Sequence, residues 1–309
     1  MRIVITGATG QVGSALVSRL GAIGHVIAAD RSIIDLANPP KIGQALDSLR
    51  PDLIINPAAY TAVDQAEAEP DLAMLVNATA PGAIAQWAAR RSVPLIHFST
   101  DYVFDGGGSR PWRETDQPRP LSVYGASKLA GEDEIRAAKG ASLIIRTSWV
   151  YAATGRNFLS TIANLARENT ELRIVADQVG APTSAATIAE AIECILEGKR
   201  TATPDLPALF GAAQGLVHLS ASGEASRFQF AEAIVDGLRS RGVALAAAPL
   251  IPVQTDGSTP AKRPLNSRLN PSRLHAIFGI TMPDWHVALQ PELDKLACHG
   301  PAMAQGWQG

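Results

Sequence analysis

A glycine-rich turn between residues 7 and 13 constrains the fold of this chain more than any other feature. Arg2–Thr6 is a β-branched run that reads as a strand, Gly7-Ala8-Thr9-Gly10-Gln11-Val12-Gly13 follows, and Val12–Leu20 has helical apolar spacing. Such a turn lets the backbone approach a pyrophosphate, while the helix start adds unpaired N–H groups and the positive end of a dipole. The third glycine permits tight helix–strand packing. The spacing is GxxGxxG rather than GxGxxG, and a glycine triplet alone also serves an ordinary βα turn. Position favours dinucleotide binding through Gly7, Gly10, Gln11, Val12 and Gly13. Asp30 then ends the next strand, near the ~20-residue offset of a ribose contact. Asp30 suits the free 2′-hydroxyl of NADH, whereas Arg31 suits the 2′-phosphate of NADPH or is a solvated surface charge, so both cofactors stay open. Asp35 and Leu36 are placed at the adenine edge, Asp35 being equally a turn former.

Downstream, His25–Ala29, Leu53–Asn56, Leu95–Ser99 and Leu143–Thr147 read as further strands. Helical segments separate them: one that Pro51 stops after Leu46–Arg50, one across Asp71–Arg90, and one containing Lys128. Continuous apolar strands alternating with helices predict an α/β fold, a doubly wound parallel sheet of Rossmann type. Residues Asp105–Ser122 hold Gly106-Gly107-Gly108, Pro111, Pro118 and Pro120 and read as a long, functional loop. From Tyr151 the alternation weakens, which suggests a second, smaller α/β substrate domain. The expected division gives 1–150 and about 180–212 to the Rossmann domain, because Ala186–Leu196 reads as a helix returning to the sheet. Residues 151–179 and 213–298 then form the substrate domain, and 299–309 a poorly ordered tail.

Tyr124-Gly125-Ala126-Ser127-Lys128 opens the helix after the loop, and the four-residue separation puts Tyr124 and Lys128 on one helical face. A phenol holds its proton at neutral pH, and a nearby ammonium is expected to lower its pKa into a range useful for protonating a carbonyl oxygen. A Tyr-x-x-x-Lys pair alone is commonplace on amphipathic helices; combined with the glycine turn it is far more specific. Thr100 follows the strand at the carboxyl edge of the sheet, where open α/β folds bind ligands. Its hydroxyl suits the same developing alkoxide, the competing reading being a local backbone cap.

Composition excludes other classes. The net charge of −2 carries no footprint for nucleic acid or anionic membrane. No window nears ~18 uninterrupted apolar residues, so no membrane partner is expected. The segment from Met1 to Gly7 lacks the apolar length of a signal peptide. Cys194 and Cys298 have no metal-ligand spacing and imply reduced thiols, so a cytoplasmic setting is expected. His25, His97, His218 and His275 likewise show no ligand spacing and read as structural.

Over residues 1–298 the chain resembles the extended short-chain dehydrogenase/reductase family. The resemblance rests on the 6–13 turn, Asn56-Pro57-Ala58-Ala59-Tyr60-Thr61-Ala62-Val63-Asp64, Ser99-Thr100-Asp101-Tyr102-Val103-Phe104-Asp105-Gly106 and Tyr124–Glu132. Arg146-Thr147-Ser148-Trp149-Val150-Tyr151, Asp177–Thr183 and Arg263-Pro264-Leu265-Asn266-Ser267-Arg268-Leu269 extend it. Within the family it looks like the branch that transfers hydride from NADPH or NADH to C4 of a dTDP-linked 4-keto-6-deoxyhexose, giving dTDP-L-rhamnose. The resemblance implies a catalytic triad of Thr100, Tyr124 and Lys128, with Tyr124 the proton donor and Lys128 also holding the nicotinamide ribose. It places Ala58, Ala59 and Tyr60 beside the cofactor, and Val63, Asp101, Tyr102, Trp149, Arg263, Ser267 and Arg268 around a dTDP-sugar substrate. Trp149 is equally a large core aromatic, and Arg263 and Arg268 either pair with phosphates or remain surface charges. Some members bind Mg2+ through interface glutamates, but the matching position is Ala15, so no metal is expected and either a monomer or a homodimer fits. Another nucleotide-sugar epimerase or dehydratase, or a non-catalytic regulatory subunit, is the alternative.

Overall fold

The computed structural model describes residues 1–198, 205–246 and 249–299. β1 (Arg2–Thr6) lies between β2 (His25–Ala29) and β3 (Leu53–Asn56), all parallel, with α1 (Gln11–Leu20) and α2 (Pro39–Leu49) as crossovers. After α3 (Val63–Ala66), α4 (Pro70–Met74) and α5 (Ala80–Arg90) come β4 (Leu95–Thr100), α6 (Val123–Ala137) and β5 (Ser142–Thr147). The residues of β3 and β4 are buried throughout, as expected of strands covered on both faces. The single helix expected over Asp71–Arg90 is instead divided by a π turn at Leu75–Thr79. Pro81 has no N–H to give the carbonyl of Asn77 four residues back, so the regular ladder cannot continue there.

The second half begins with β6 (Val150–Tyr151), α7 (Phe158–Glu168), β7 (Leu172–Val175), β8 (Val179–Gly180) and β9 (Thr183–Ser184). It continues with α8 (Ala185–Glu197), α9 (Leu206–Ala212), β10 (Leu216–His218), β11 (Ala225–Ser226) and α10 (Arg227–Ser240). β12 (Leu250–Val253), α11 (Ser272–Phe278) and α12 (Trp285–His299) complete it. The main sheet has six strands in the order β10-β5-β4-β3-β1-β2. Its direction of winding reverses between β1 and β3, and the crevice at the carboxyl ends of those strands is where a ligand fits such a sheet.

Two apolar layers cover the sheet. On one face Ile3, Ile5, Ile55, Ile96 and Ile145 pack with Leu16 of α1 and Ile188 and Ile192 of α8. On the other, Val4, Ile54, Leu95 and Ile144 pack with Ile42 of α2, Ile84 of α5 and Ile135 of α6. A separate core joins α7, α10 and α12 through Leu159, Ile162, Phe230, Ile234, Trp285 and Leu289, beside the parallel pair β7–β12. α8 therefore packs on the sheet. The expected boundary at 213 falls too early: β10 pairs with β5 as the outermost strand, and Leu274 of α11 also enters the first core. Three residues of strand are too short for a periodic signal, so the boundary was invisible in the sequence. His299 ends α12, and the remainder of the expected tail, 300–309, lies outside the described residues. Among the described residues no helix is long and apolar enough to cross a membrane.

Polar side chains interrupt the second face near its carboxyl end. Arg146 of β5 is 1% exposed and donates to both Glu132 oxygens, at 2.8 and 2.6 Å; Ser99 of β4 donates to the same carboxylate at 2.6 Å. These bonds hold the Glu132 carboxyl below its ordinary range even though burial pushes it up. Removing one member of a buried pair leaves an uncompensated charge. Glu132→Gln should therefore lower unfolding stability by roughly 3–5 kcal/mol, read as a fall in urea midpoint at unchanged slope.

Candidate active site

The glycine turn has no room for side chains. Gly7 adopts φ +54°, and a Cβ there would lie 2.8 Å from the Ala58 Cβ; one on Gly13 would lie 2.1 Å from the Gly7 carbonyl oxygen. α1 starts at Gln11 with Gly10 as its N-cap and no side-chain acceptor. The first-turn N–H groups of Gln11, Val12 and Gly13 are thus left for an anion, with the Gln11 Oε1 buried and unpartnered beside them. Ala58 closes the opposite wall as the chain leaves β3, and Ala59 follows half-buried. Tyr60 turns elsewhere: its hydroxyl donates to Glu69 at 2.6 Å, its N–H donates to the Asn77 Oδ1 at 2.8 Å, and its pKa is pushed up to about 12 by burial and Glu69.

At the end of β2 the Asp30 carboxylate accepts from the Ser32 N–H and hydroxyl, at 2.9 and 2.6 Å, which holds its pKa low. Arg31 has its side chain 88% exposed, 4.0 Å from Asp35. Asp35 also accepts from the Ala37 N–H at 3.0 Å, as a turn former does. A groove of about 390 Å³ runs here, lined by Arg31, Asp35, Asn38, Lys41 and Ser48. Leu36 is buried in the apolar layer with Ile34 and Ile42 rather than lying open to a ligand.

The proton-handling groups gather at the end of β4. Thr100 caps a single 3-10 turn, Asp101–Val103, by accepting from the Tyr102 N–H at 3.2 Å. The same hydroxyl meets the Tyr124 phenol, so capping the turn does not keep Thr100 from Tyr124. Ser122 caps α6 by accepting from the Gly125 N–H at 3.2 Å, and Tyr124, Lys128 and Glu132 form one stripe toward the sheet. A Cβ on Gly125 would lie 2.2 Å from the Tyr102 carbonyl oxygen, so the Tyr-Gly step lets the helix start close on the 3-10 turn. Tyr102 and Tyr124 meet edge to face at 5.5 Å. Asn77, at the π turn, donates to the Ser127 hydroxyl at 3.0 Å, which in turn donates to the Tyr124 carbonyl at 2.8 Å.

One expectation is corrected. The Tyr124 pKa lies well above that of a free phenol, because desolvation outweighs the Thr100 bond and Asp101 and Tyr102 push in the same direction. The Lys128 ammonium is turned beneath the site, donating to the Phe98 carbonyl at 2.7 Å and facing the His97 Nε2 at 3.2 Å. Burial lowers Lys128 to about 8 against the favourable charge of Glu132.

The substrate side is assembled from distant segments. Asp101 is 2% exposed, accepts from the Thr100 and Ser267 hydroxyls, and is raised by burial to about 6 with its second oxygen unpartnered. Val63 begins α3, and Asp64 beside it accepts from Arg263 at 3.0 and 2.6 Å. Arg268 donates to Asn266 and to Glu224, at 2.8 and 3.1 Å. Trp149 has φ +48°, uncommon for a bulky side chain and a mark of local strain. One face of its indole lies against Gly180, where a Cβ would come within 2.7 Å. On its other side the half-buried Arg227 guanidinium stacks at 3.7 Å, with Phe158 5.0 Å away. Burial lowers Arg227 to about 10, with Asp101 opposing and Arg263 adding to that shift. Arg227 was missed from the sequence because nothing local marks it; only the fold brings residue 227 to residue 149.

A glycine turn opening the first helix, with buried Thr100 and Lys128 and a half-buried Tyr124 at the carboxyl edge of the same parallel sheet, defines an oxidoreductase of the short-chain dehydrogenase/reductase class. The chain belongs to the family described as the RmlD substrate binding domain, which it matches over residues 1–298. It is 43% identical over 303 residues to the dTDP-4-dehydrorhamnose reductase of Escherichia coli K12, covering 96% of this chain and 98% of that protein. The Burkholderia thailandensis reductase of the same name is 42% identical, with 94% and 97% covered. The crystal structure of the Bacillus anthracis dTDP-4-dehydrorhamnose reductase in complex with NADP is similar at TM-score 0.84 and 32% identity, covering 95% of this chain and 99% of that one. The Clostridium acetobutylicum reductase structure gives 0.85 and 33%, with 96% and 99% covered. Gly13→Ala should weaken nicotinamide-dinucleotide binding by more than about 10-fold, about 1.4 kcal/mol, checked by titration calorimetry with the fold confirmed by circular dichroism.

Proposed function

We propose that the protein is a reductase that uses NADPH to reduce C4 of dTDP-4-dehydro-6-deoxy-L-mannose, giving dTDP-L-rhamnose. The observation that carries this reading is the Tyr124 phenol, half-buried at the sheet edge and met by the Thr100 hydroxyl. The relatives' names supply the substrate. The crowding at Gly7 and Gly13 and the uncapped start of α1 fit a pyrophosphate, and Ala58 fits close passage of the cofactor. When bound, the nicotinamide supplies the hydride for the C4 carbon.

The chain's residues handle the oxygen and the proton. Thr100, whose hydroxyl proton rests on Asp101 without substrate, turns it to the C4 oxygen as negative charge develops there. Tyr124, kept protonated by burial, gives its proton to that oxygen; the high pKa that disfavours a resting phenolate suits an acid facing an alkoxide. Lys128, as an ammonium, provides positive charge beneath the phenol and a donor for the cofactor ribose. Trp149 and Arg227 hold the sugar nucleotide, the guanidinium offering its N–H edge to the diphosphate. With Asp30 engaged by Ser32, and Arg31 exposed at the groove with only Asp35 at 4.0 Å beside it, NADPH is the favoured cofactor.

Purified protein should oxidise NADPH when given the 4-keto sugar nucleotide, and Tyr124→Phe should reduce kcat by about 10²–10⁴-fold with little change in NADPH affinity. The rate should fall as pH rises through about 8, where Lys128 loses its proton. Wild-type protein inert with both NADPH and NADH would overturn the reductase reading, and retention of tightly held NAD would favour an epimerase.

Arg227→Gln should raise KM for the sugar nucleotide about 10-fold or more and leave KM for NADPH unchanged, as steady-state kinetics with each substrate varied will show.

A further inference from the structure

A row of polar side chains crosses three adjacent strands on the α6 face of the sheet. Asn56 of β3 and His97 of β4 are directly paired in register, and Thr6 ends β1 next to them. Thr6 and Asn56 are each 1% exposed, His97 is fully buried and Lys128 is 2% exposed. The chain of contacts is continuous: Thr6 Oγ1 to Asn56 Oδ1 at 2.5 Å, Asn56 amide to His97 Nδ1 at 3.0 Å, and His97 Nε2 to Lys128 Nζ at 3.2 Å. The row on one side is apolar, with Val4, Ile54 and Leu95, and on the other side Ser99 and Arg146 are engaged by Glu132, so the polar groups of this row must be satisfied from within.

The donors along this row can be assigned by counting. Lys128 as an ammonium has only protons to offer, and one already goes to the Phe98 carbonyl. Another must find an acceptor on His97, so Nε2 carries a lone pair. The imidazole is neutral, since burial and the Lys128 charge both drive its pKa far down, and its proton therefore sits on Nδ1. Asn56 then accepts from Nδ1 with its amide oxygen and turns its NH2 to the Thr6 hydroxyl, the two ends of an amide being exchangeable by a half-turn. The opposite order places an Nε2 proton against an ammonium in a dry site. The charge that acts on His97 is the Lys128 ammonium, and the charge that acts on Lys128 is Glu132, whose carboxylate favours the ammonium.

We propose that His97 is a positioning residue for Lys128: a neutral imidazole whose tautomer is set by Asn56 and Thr6, and whose Nε2 holds the lysine ammonium under the reacting centre. The row thereby ties the strand that ends at the glycine turn to the lysine that works with Tyr124. A remote change at Asn56 or Thr6 reaches the chemistry through the His97 proton. The structural assignment stands without the reductase reading; only its kinetic consequence rests on that reading.

The test uses the full chain with NADPH bound and has two independent readouts. In 15N spectra of histidine-labelled protein, the six histidines are sorted by the signal lost in His97→Gln. The His97 pair should show a protonated Nδ1 and a bare Nε2, and a proton on Nε2 overturns the proposal. In turnover, His97→Leu should lower kcat about 10–100-fold and shift the basic limb of the pH profile down by about one unit, with KM for the sugar nucleotide within about two-fold. His97→Gln, whose amide oxygen can accept from Lys128, should recover most of both effects. A folded His97→Leu with wild-type kcat and pH profile, or equal impairment of the Leu and Gln variants, overturns it. If His97→Leu does not fold, the Gln variant and the spectra decide. Wild-type protein that turns over no 4-keto sugar nucleotide defeats the reductase reading, while the 15N result still decides the fate of His97.

Discussion

Arg146 sits inside the sheet with almost no water around it, and the carboxylate that answers it comes from α6. That single pairing fixes more than its own energy. A buried guanidinium accepts a carboxylate in a narrow range of geometries, so Glu132 sets both the rotation and the depth of α6. Lys128 and Tyr124 lie one and two turns toward the helix start on the same stripe, and their aim follows from that anchor. Ser99 shares the carboxylate and Phe104 stacks beneath the guanidinium at 5.0 Å, so both ends of the β4 turn report to the same pair. Tyr124 and Lys128 are thus held from further along the same helix. A buried ion pair is a weak source of stability, and here its visible contribution is orientation.

The strands and the first glycine turn were legible because they depend on local chemistry. Runs such as Leu53–Asn56 are apolar throughout, and a turn that must approach a phosphate leaves glycines in its wake. Tyr124 and Lys128 were legible as a spacing on one helix, but their electrostatics were not. Whether the phenol is lowered by the lysine or raised by burial depends on where the ammonium points, and Phe98 and His97 decide that. Leu36 and Tyr60 look like ligand contacts by position along the chain. The fold gives Leu36 to the apolar layer and the Tyr60 hydroxyl to Glu69. β10 and the π turn escaped because one is only three residues long and the other is a local response to Pro81.

Arg227 and Trp149 show the limit of sequence reading most clearly. A tryptophan in a strained left-handed conformation, backed by a glycine and faced by an arginine, needs three segments far apart in sequence. None of the three is distinctive alone. Together they spend backbone strain and desolvation to present a cation beside Asp101 and Tyr102, which is the kind of local conflict expected at a ligand site.

The groove beside β2 lies at the other end of the sheet crevice from these groups. Its lining residues Arg31, Asp35 and Lys41 share no hydrogen bond with Thr100, Tyr124 or Lys128, and the apolar layer that includes Leu36 lies beneath them. On the proposed reading, substitutions there would alter which reducing coenzyme is drawn from the cell's pool and leave the groups proposed for proton delivery untouched. The two properties can then be selected, or engineered, on separate schedules: an organism whose supply of one coenzyme changes can re-tune a few solvent-facing side chains and keep the same catalyst.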